Sequence, residues 1–176
     1  MDFSYNYLED IDETIKLVPN VKILNLSHNK ICYISDLSSL TCLSHLYIAG
    51  NFIKECDNLH TKLGKIVYID ISQNNISSLT GFRKLYSLET FNVSCNNITK
   101  IDDVTYIGNL PCLENLILTG NKVATIVDYR SKVFQCFGSR ANDICLDNEK
   151  PSQVELDKAA VFNALSIVRD GKTPML

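Results

Sequence analysis

Apolar residues return along this chain in a fixed frame, and an asparagine closes each frame. The three clearest copies run Val21-x-x-Leu24-x-Leu26-x-x-Asn29-x-Ile31, Leu43-x-x-Leu46-x-Ile48-x-x-Asn51-x-Ile53 and Ile66-x-x-Ile69-x-Ile71-x-x-Asn74-x-Ile76. Leu88, Phe91, Val93, Asn96 and Ile98 make a fourth, and Leu113, Leu116, Leu118, Asn121 and Val123 a fifth. Asn6 opens the series, and successive asparagines stand 23, 22, 23, 22 and 25 residues apart. The alternation around Leu24 and Leu26 predicts a short strand in each unit, with the leucines facing one side and the residues between them the other. The stretch after each asparagine keeps a different beat, Ile34-x-x-Leu37-x-x-Leu40 and Leu79-x-x-Phe82-x-x-Leu85, which suits a 3₁₀ or helical turn. A single strand-and-turn unit cannot bury its apolar face alone, whereas stacked units bury it against each other.

A period of roughly 20–29 residues in this frame is the signature of a leucine-rich repeat array, here of the short intracellular kind. The predicted fold class is an α/β solenoid, with a curved parallel sheet on the concave face, short 3₁₀ or helical turns on the convex face and a C-terminal helical cap. Residues 1–126 form a partial first repeat plus five, residues 127–150 the cap, and residues 151–170 a last helix. Ile101 to Leu110 carries three extra residues, expected as a loop on the convex side. Asn29, Asn51, Asn74, Asn96 and Asn121 are expected to form a ladder, their amides bonding backbone groups at each turn that would otherwise be buried without partners.

The two ends break the pattern. Met1-Asp2-Phe3-Ser4-Tyr5-Asn6 starts in the middle of a repeat, as in a piece of a longer chain, and leaves Met1, Phe3 and Leu8 as an expected uncovered edge. After Ile126, Asp128 is placed as an N-cap and Gly138 as a stop, with Tyr129, Val133 and Phe137 on one helical stripe that closes the core. Asp128, Tyr129 and Arg130 are thus the expected cap residues. Ser152-Gln153-Val154-Glu155 reads as a capping box for the last helix, which repeats Val154, Val161, Leu165 and Val168 on one face and either packs on the cap or points away.

Composition narrows the chemistry. The 176 residues are 45% hydrophobic with a formal net charge of −3, which fits one soluble domain, and no run is long enough to span a membrane. The seven cysteines, at 32, 42, 56, 95, 112, 136 and 145, are scattered and odd in number, which predicts reduced thiols in the cytosol. Sequons at Asn25, Asn75, Asn92 and Asn97 arise from the repeat itself. No HExxH, paired CxxC, dinucleotide or phosphate-loop motif occurs, and no histidine shares a repeat with Cys95 or adjoins it, so no catalytic constellation, cofactor or metal site is expected. A mildly acidic chain without a basic stripe on its expected concave face argues against nucleic acid.

The register instead points to a protein-binding concave face. Its outward positions include Ile23, Asn25, His45, Tyr47, Tyr68, Asp70, Asn92 and Ile117. His45, Tyr47 and Tyr68 are expected side by side, flanked by Ile23 and Asp70, because amphipathic aromatics dominate protein hot spots. Tyr7, Lys30, Phe52, Lys54, Lys100 and Lys122 are expected along a solvated rim.

Several strings exceed what the repeat requires: Leu59-His60-Thr61-Lys62-Leu63-Gly64, Lys84-Leu85-Tyr86-Ser87-Leu88, Ile107-Gly108-Asn109-Leu110-Pro111-Cys112-Leu113-Glu114, and Asp128-Tyr129-Arg130-Ser131-Lys132-Val133 with Cys145-Leu146-Asp147. From about residue 20 onward they closely resemble the leucine-rich repeat region of nischarin-like proteins, the imidazoline receptor candidates. That resemblance implies a scaffold on cytoplasmic endosomes that restrains Rac-driven migration. Its implied partners are Rac- and Rab-type small GTPases or PAK-type and LIM kinases, and its membrane-binding PX domain lies outside this chain. The alternatives are a structural spacer between the PX and C-terminal regions, or a phosphatase regulatory subunit.

Overall fold

The computed structural model describes residues 1–35 and 37–169. Six parallel strands form one sheet in sequence order: β1 (Ile23–Asn25), β2 (His45–Tyr47), β3 (Tyr68–Asp70), β4 (Thr90–Asn92), β5 (Asn115–Ile117) and β6 (Cys145–Leu146). Each strand pairs only with its chain neighbours, which is the architecture of a solenoid. The register is unbroken, so that Leu24, Leu46, Ile69, Phe91, Leu116 and Leu146 face each other in one buried file. Before β1, Met1 to Tyr5 lies along the sheet edge, with a parallel bridge between Asp2 and Asn25.

On the convex side the chain returns through 3₁₀ turns at Leu37–Ser39, Leu59–Thr61, Thr80–Phe82 and Lys122–Thr125. Leu37, Leu59, Phe82 and Val123 point from them into the core. The Phe82 ring meets the Phe91 ring of the sheet with centroids 4.6 Å apart, so the turn of the third repeat and the strand of the fourth share the same interior. Cys56 is buried there too.

The three extra residues of the fourth repeat do not make a loop. They complete a helix, α1 (Ile101–Gly108), because Val104 and Ile107 at a three-residue spacing both reach the core and Asp102 and Asp103 favour its N-terminal turn. At its end, a side chain in place of Gly108 would put Cβ 2.2 Å from the Cys136 carbonyl oxygen, so glycine lets the cap approach.

The cap begins with α2 (Tyr129–Phe137), followed by a 3₁₀ turn at Gly138–Asp143, then β6 and α3 (Gln153–Arg169). Tyr129, Val133 and Phe137 are buried on one stripe, and Gly138 ends the helix at φ 55°. Asp128 occupies the N-cap position without capping. Its backbone is left-handed at φ 57°, its carboxylate makes no cap hydrogen bond, and it takes a 2.8 Å bond from Lys158 of α3 instead. That bond holds the Asp128 carboxyl below its ordinary pKa.

Arg130 ties the cap together. It donates from Nε to Glu155 and from its terminal nitrogens to the carbonyls of Leu146, Glu149 and Lys150, and its guanidinium lies 5.3 Å from the Phe134 ring centroid. Glu155 also takes the Ser152 backbone N–H and hydroxyl, while Ser152 Oγ accepts the Glu155 N–H, a reciprocal capping box at the start of α3. Burial opposes ionisation of Glu155, but the bonds from Ser152 and Arg130 outweigh it and its pKa is lowered.

The last helix packs on α2, though not by the apolar stripe its sequence displays. Ala159 is buried and Leu156 partly so, whereas Val154, Val161, Leu165 and Val168 are all more than half exposed. Residue 170, the end of the expected helix, lies outside the described residues.

Candidate functional site

The asparagine ladder sets the shape on which the concave face is built. Asn74 is representative: Nδ2 donates to the carbonyls of Ile71 and Ser72 in its own turn and of Ile48 in the preceding repeat, at 3.0–3.1 Å, while Oδ1 accepts the Ile53 N–H at 3.0 Å. Asn51 and Asn96 repeat the set, and Asn29 and Asn121 make corresponding bonds. All five are buried, so each amide satisfies backbone groups that water does not reach.

The residue before each asparagine is left-handed: Tyr5, His28, Gly50, Gln73, Cys95 and Gly120 have φ between 52° and 75°. This sharp step lies three residues past the end of each of β1 to β5. The frame of leucines and asparagines does not announce it, because the position accepts tyrosine, histidine, glutamine and cysteine as well as glycine. The signal lies only in the two glycines. Gly50 lies against the His28 ring, where an added Cβ would fall 2.6 Å from Nδ1, and that ring also stacks on Tyr5 at 4.3 Å.

The outward strand residues form two rows. Ile23, His45, Tyr68, Thr90 and Asn115 stand in the first, and Asn25, Tyr47, Asp70, Asn92 and Ile117 in the second. His45 stacks on Tyr68 with centroids 5.7 Å apart and planes 15° apart, and Tyr47 meets Tyr68 at 4.9 Å and 36°. All three rings are half-buried, and Ile23 beside them is 51% exposed. Burial, with Asp70 and Tyr47 adding, holds the Tyr68 phenol above its ordinary pKa.

Not every expected position is free to reach outward. Asn25, Asp70 and Asn92 turn back on their own chain: Oδ1 of each accepts the backbone N–H two residues on, at 3.0–3.1 Å, and Asp70 and Asn92 also take the hydroxyls of Ser72 and Ser94. The pattern Asn/Asp-x-Ser was its visible signal, since such side chains favour local backbone bonds. Ala49 and Ser72, further along the same repeats, are buried past the strands. Ile117 lies on β5, two strands from the rings. Along the rim, Tyr7, Lys30, Phe52, Lys54, Lys100 and Lys122 are exposed, with the Lys30 ammonium 5.1 Å from the Tyr7 centroid.

Asp128, Tyr129 and Arg130 stand away from this face and serve the cap. The Tyr129 hydroxyl donates to Asp147 Oδ2 while Asp147 Oδ1 takes the Leu118 and Thr119 N–H groups. Burial, reinforced by the Asp147 charge, raises the Tyr129 pKa. No described helix is long and apolar enough to cross a membrane.

A one-dimensional stack of strand-and-turn units, locked by buried asparagines and presenting side chains from a parallel sheet, defines a repeat solenoid of the kind that generally serves as a protein-interaction module. The chain belongs to the leucine-rich repeat family, whose signature matches residues 44–134. It is similar to the serine/threonine-protein kinase 11-interacting protein of Gallus gallus, with 28% identity over 89% of this chain and 15% of the relative, and to that of Homo sapiens, with 27% identity over 81% and 13%. The chain therefore spans about a seventh of these relatives' length. Among solved structures, internalin C2 of Listeria monocytogenes superposes with a TM-score of 0.60 at 26% identity, covering 69% of this chain and 51% of that one. A chain of the SNF/U2A′ complex of Drosophila melanogaster, at 18% identity, shares the fold over 96% of this chain and 86% of its own, with a TM-score of 0.58.

Proposed function

We propose that this chain is a non-catalytic docking module of a nischarin-like scaffold and that it holds a folded signalling protein against the rings of His45, Tyr47 and Tyr68. The observation that carries this reading is the contiguous aromatic cluster across β2 and β3, half-buried on a concave surface whose remaining outward side chains, Ile23 and Ile117 apart, are small or polar. Rings that combine apolar area with a polar tip give much contact for little lost rotamer entropy.

The partner class rests on resemblance. The resemblance of the loop and cap strings to those of nischarin-like proteins favours small GTPases of the Rac or Rab type and kinases of the PAK or LIM type. The kinase choice gains support from relatives whose name makes them interactors of a serine/threonine kinase. The same resemblance favours a cytoplasmic, endosome-associated setting and a role in restraining Rac-driven migration.

Calorimetric titration with Rac and Rab proteins in GTP-like and GDP states, and with PAK and LIM kinase domains, tests the proposal. One of them is expected to bind, and the Tyr47→Ala, Tyr68→Ala double variant is expected to weaken it by about 2 kcal/mol or more. Binding that ignores the double variant removes the concave site; absence of binding throughout favours the spacer.

A further inference from the structure

Asp70 carries a charge that the fold does not use. Its turn bonds, to the Ser72 N–H at 3.0 Å and the Ser72 hydroxyl at 2.7 Å, are made one strand away by a neutral residue, where Asn92 takes the Ser94 N–H at 3.1 Å and hydroxyl at 2.8 Å. Asn25 makes the backbone bond as well. An amide therefore suffices at this position of the repeat, and both bonds to Asp70 end on Oδ1.

The other carboxylates of the row are differently placed. Asp147 gives one oxygen to the Tyr129 hydroxyl of the cap and the other to the Leu118 and Thr119 N–H groups of the fifth repeat, and Asp2 is exposed at the sheet edge beside Asn25. Asp70 is half-buried, with Tyr47 directly across the β2–β3 pairing and the Tyr68 ring against that of Tyr47. No lysine, arginine or histidine of the described residues forms an ion pair with it. Along β1 to β5 it is the one formally charged outward residue. A half-buried carboxylate that no cation of the described residues pairs is open to a counter-charge brought by a partner, and a charge-assisted bond formed there is stronger than a neutral one.

We propose that Asp70, Tyr47 and Tyr68 form a receptor for an arginine side chain of the docked protein, the guanidinium lying against the tyrosine rings and pairing with the Asp70 carboxylate. Arginine fits better than lysine because its planar, weakly hydrated cation both stacks on rings and donates in a fork. This inference rests on the concave face being a docking surface and names the chemistry that face selects.

A random peptide library displayed on phage, selected on the wild-type chain and counter-selected on the Tyr47→Ala, Tyr68→Ala variant, tests it without presupposing a partner. The recovered peptides are expected to share an arginine. Replacing that arginine by the neutral isostere citrulline should weaken each synthetic peptide at least tenfold, lysine should restore only part of the loss, and Asp70→Asn should weaken the arginine peptide to a similar degree. Because citrulline alters only the peptide, that arm stands even if a variant folds poorly. Peptides that need the tyrosines but lack arginine, or that bind Asp70→Asn as well as wild type, would overturn the arginine receptor and leave the docking face intact. Recovery of no tyrosine-dependent peptide would remove both.

Discussion

A ladder asparagine concentrates in one side chain what most proteins spread over several. Asn74 joins the turn of its own repeat to the backbone of the one before it, through both its donor and its acceptor. Asn74→Ala strands the Ile53 N–H and the carbonyls it served, and is expected to lower stability by about 2–4 kcal/mol, measured by urea unfolding, since each buried group left without a partner costs about 1–3 kcal/mol. The cysteines offer a second residue-scale test. Burial pushes the Cys56 thiol up to about 12 and the Cys136 thiol up to about 11, so both stay protonated at pH 8, and the thiolate is the reactive form. Brief iodoacetamide treatment followed by peptide mass spectrometry should modify the exposed Cys32, Cys42, Cys95 and Cys112 and spare Cys56 and Cys136; labelling of Cys56 at a matching rate would contradict the burial.

Among the elements, those with a repeating frame were legible and those that replace it were legible only in part. The strands and their register follow from leucine positions that admit one stacking. The 3₁₀ turns follow from the three-residue spacing. Helix α1 escaped because three added residues look the same in sequence whether they bulge outward or complete a helical turn; what decides it is the space over the core that Val104 and Ile107 fill. Asp128 misled for a similar reason, because its residue type suits a cap while its left-handed backbone and Lys158 direct it elsewhere. The tie between α2 and α3 runs through Arg130, and Arg130→Lys keeps the charge but loses the fork that reaches Glu155 and three carbonyls. Arg130→Lys is expected to destabilise by about 1–2 kcal/mol, with hydrogen exchange of α3 amides rising well above that of β2 and β3 amides. Equal protection in the variant and the wild type would show that α3 is held by its apolar contacts and the Lys158–Asp128 bond, without Arg130.

At the scale of the molecule, the sheet is a surface whose residues can be varied one position at a time. Neither row of outward side chains is needed to make the core, so the frame foretold which residues face outward without saying what they contact. The stacked rings of His45, Tyr47 and Tyr68 could be placed because neighbouring strands share a register. That Asn25, Asp70 and Asn92 bend back onto their own turns could not be placed from the leucine frame, since it depends on the left-handed step that follows each strand. Docking by the rings is the prediction on which the function turns, and the double tyrosine variant is its direct test.

The ladder also has a mechanical meaning. Since its rungs bind only adjacent repeats, tension along the stack loads them in series. The cap side is clasped by Arg130 and Arg140, the latter donating to the Leu110 and Leu113 carbonyls, whereas Met1, Phe3 and Leu8 at the opposite side are more than a third exposed. Stretched in optical tweezers, the molecule should peel from that side in steps of one repeat, each releasing roughly 75 Å of extended chain; a single rupture of the whole array would mean that the repeats are bound more tightly to one another than their nearest-neighbour bonds account for.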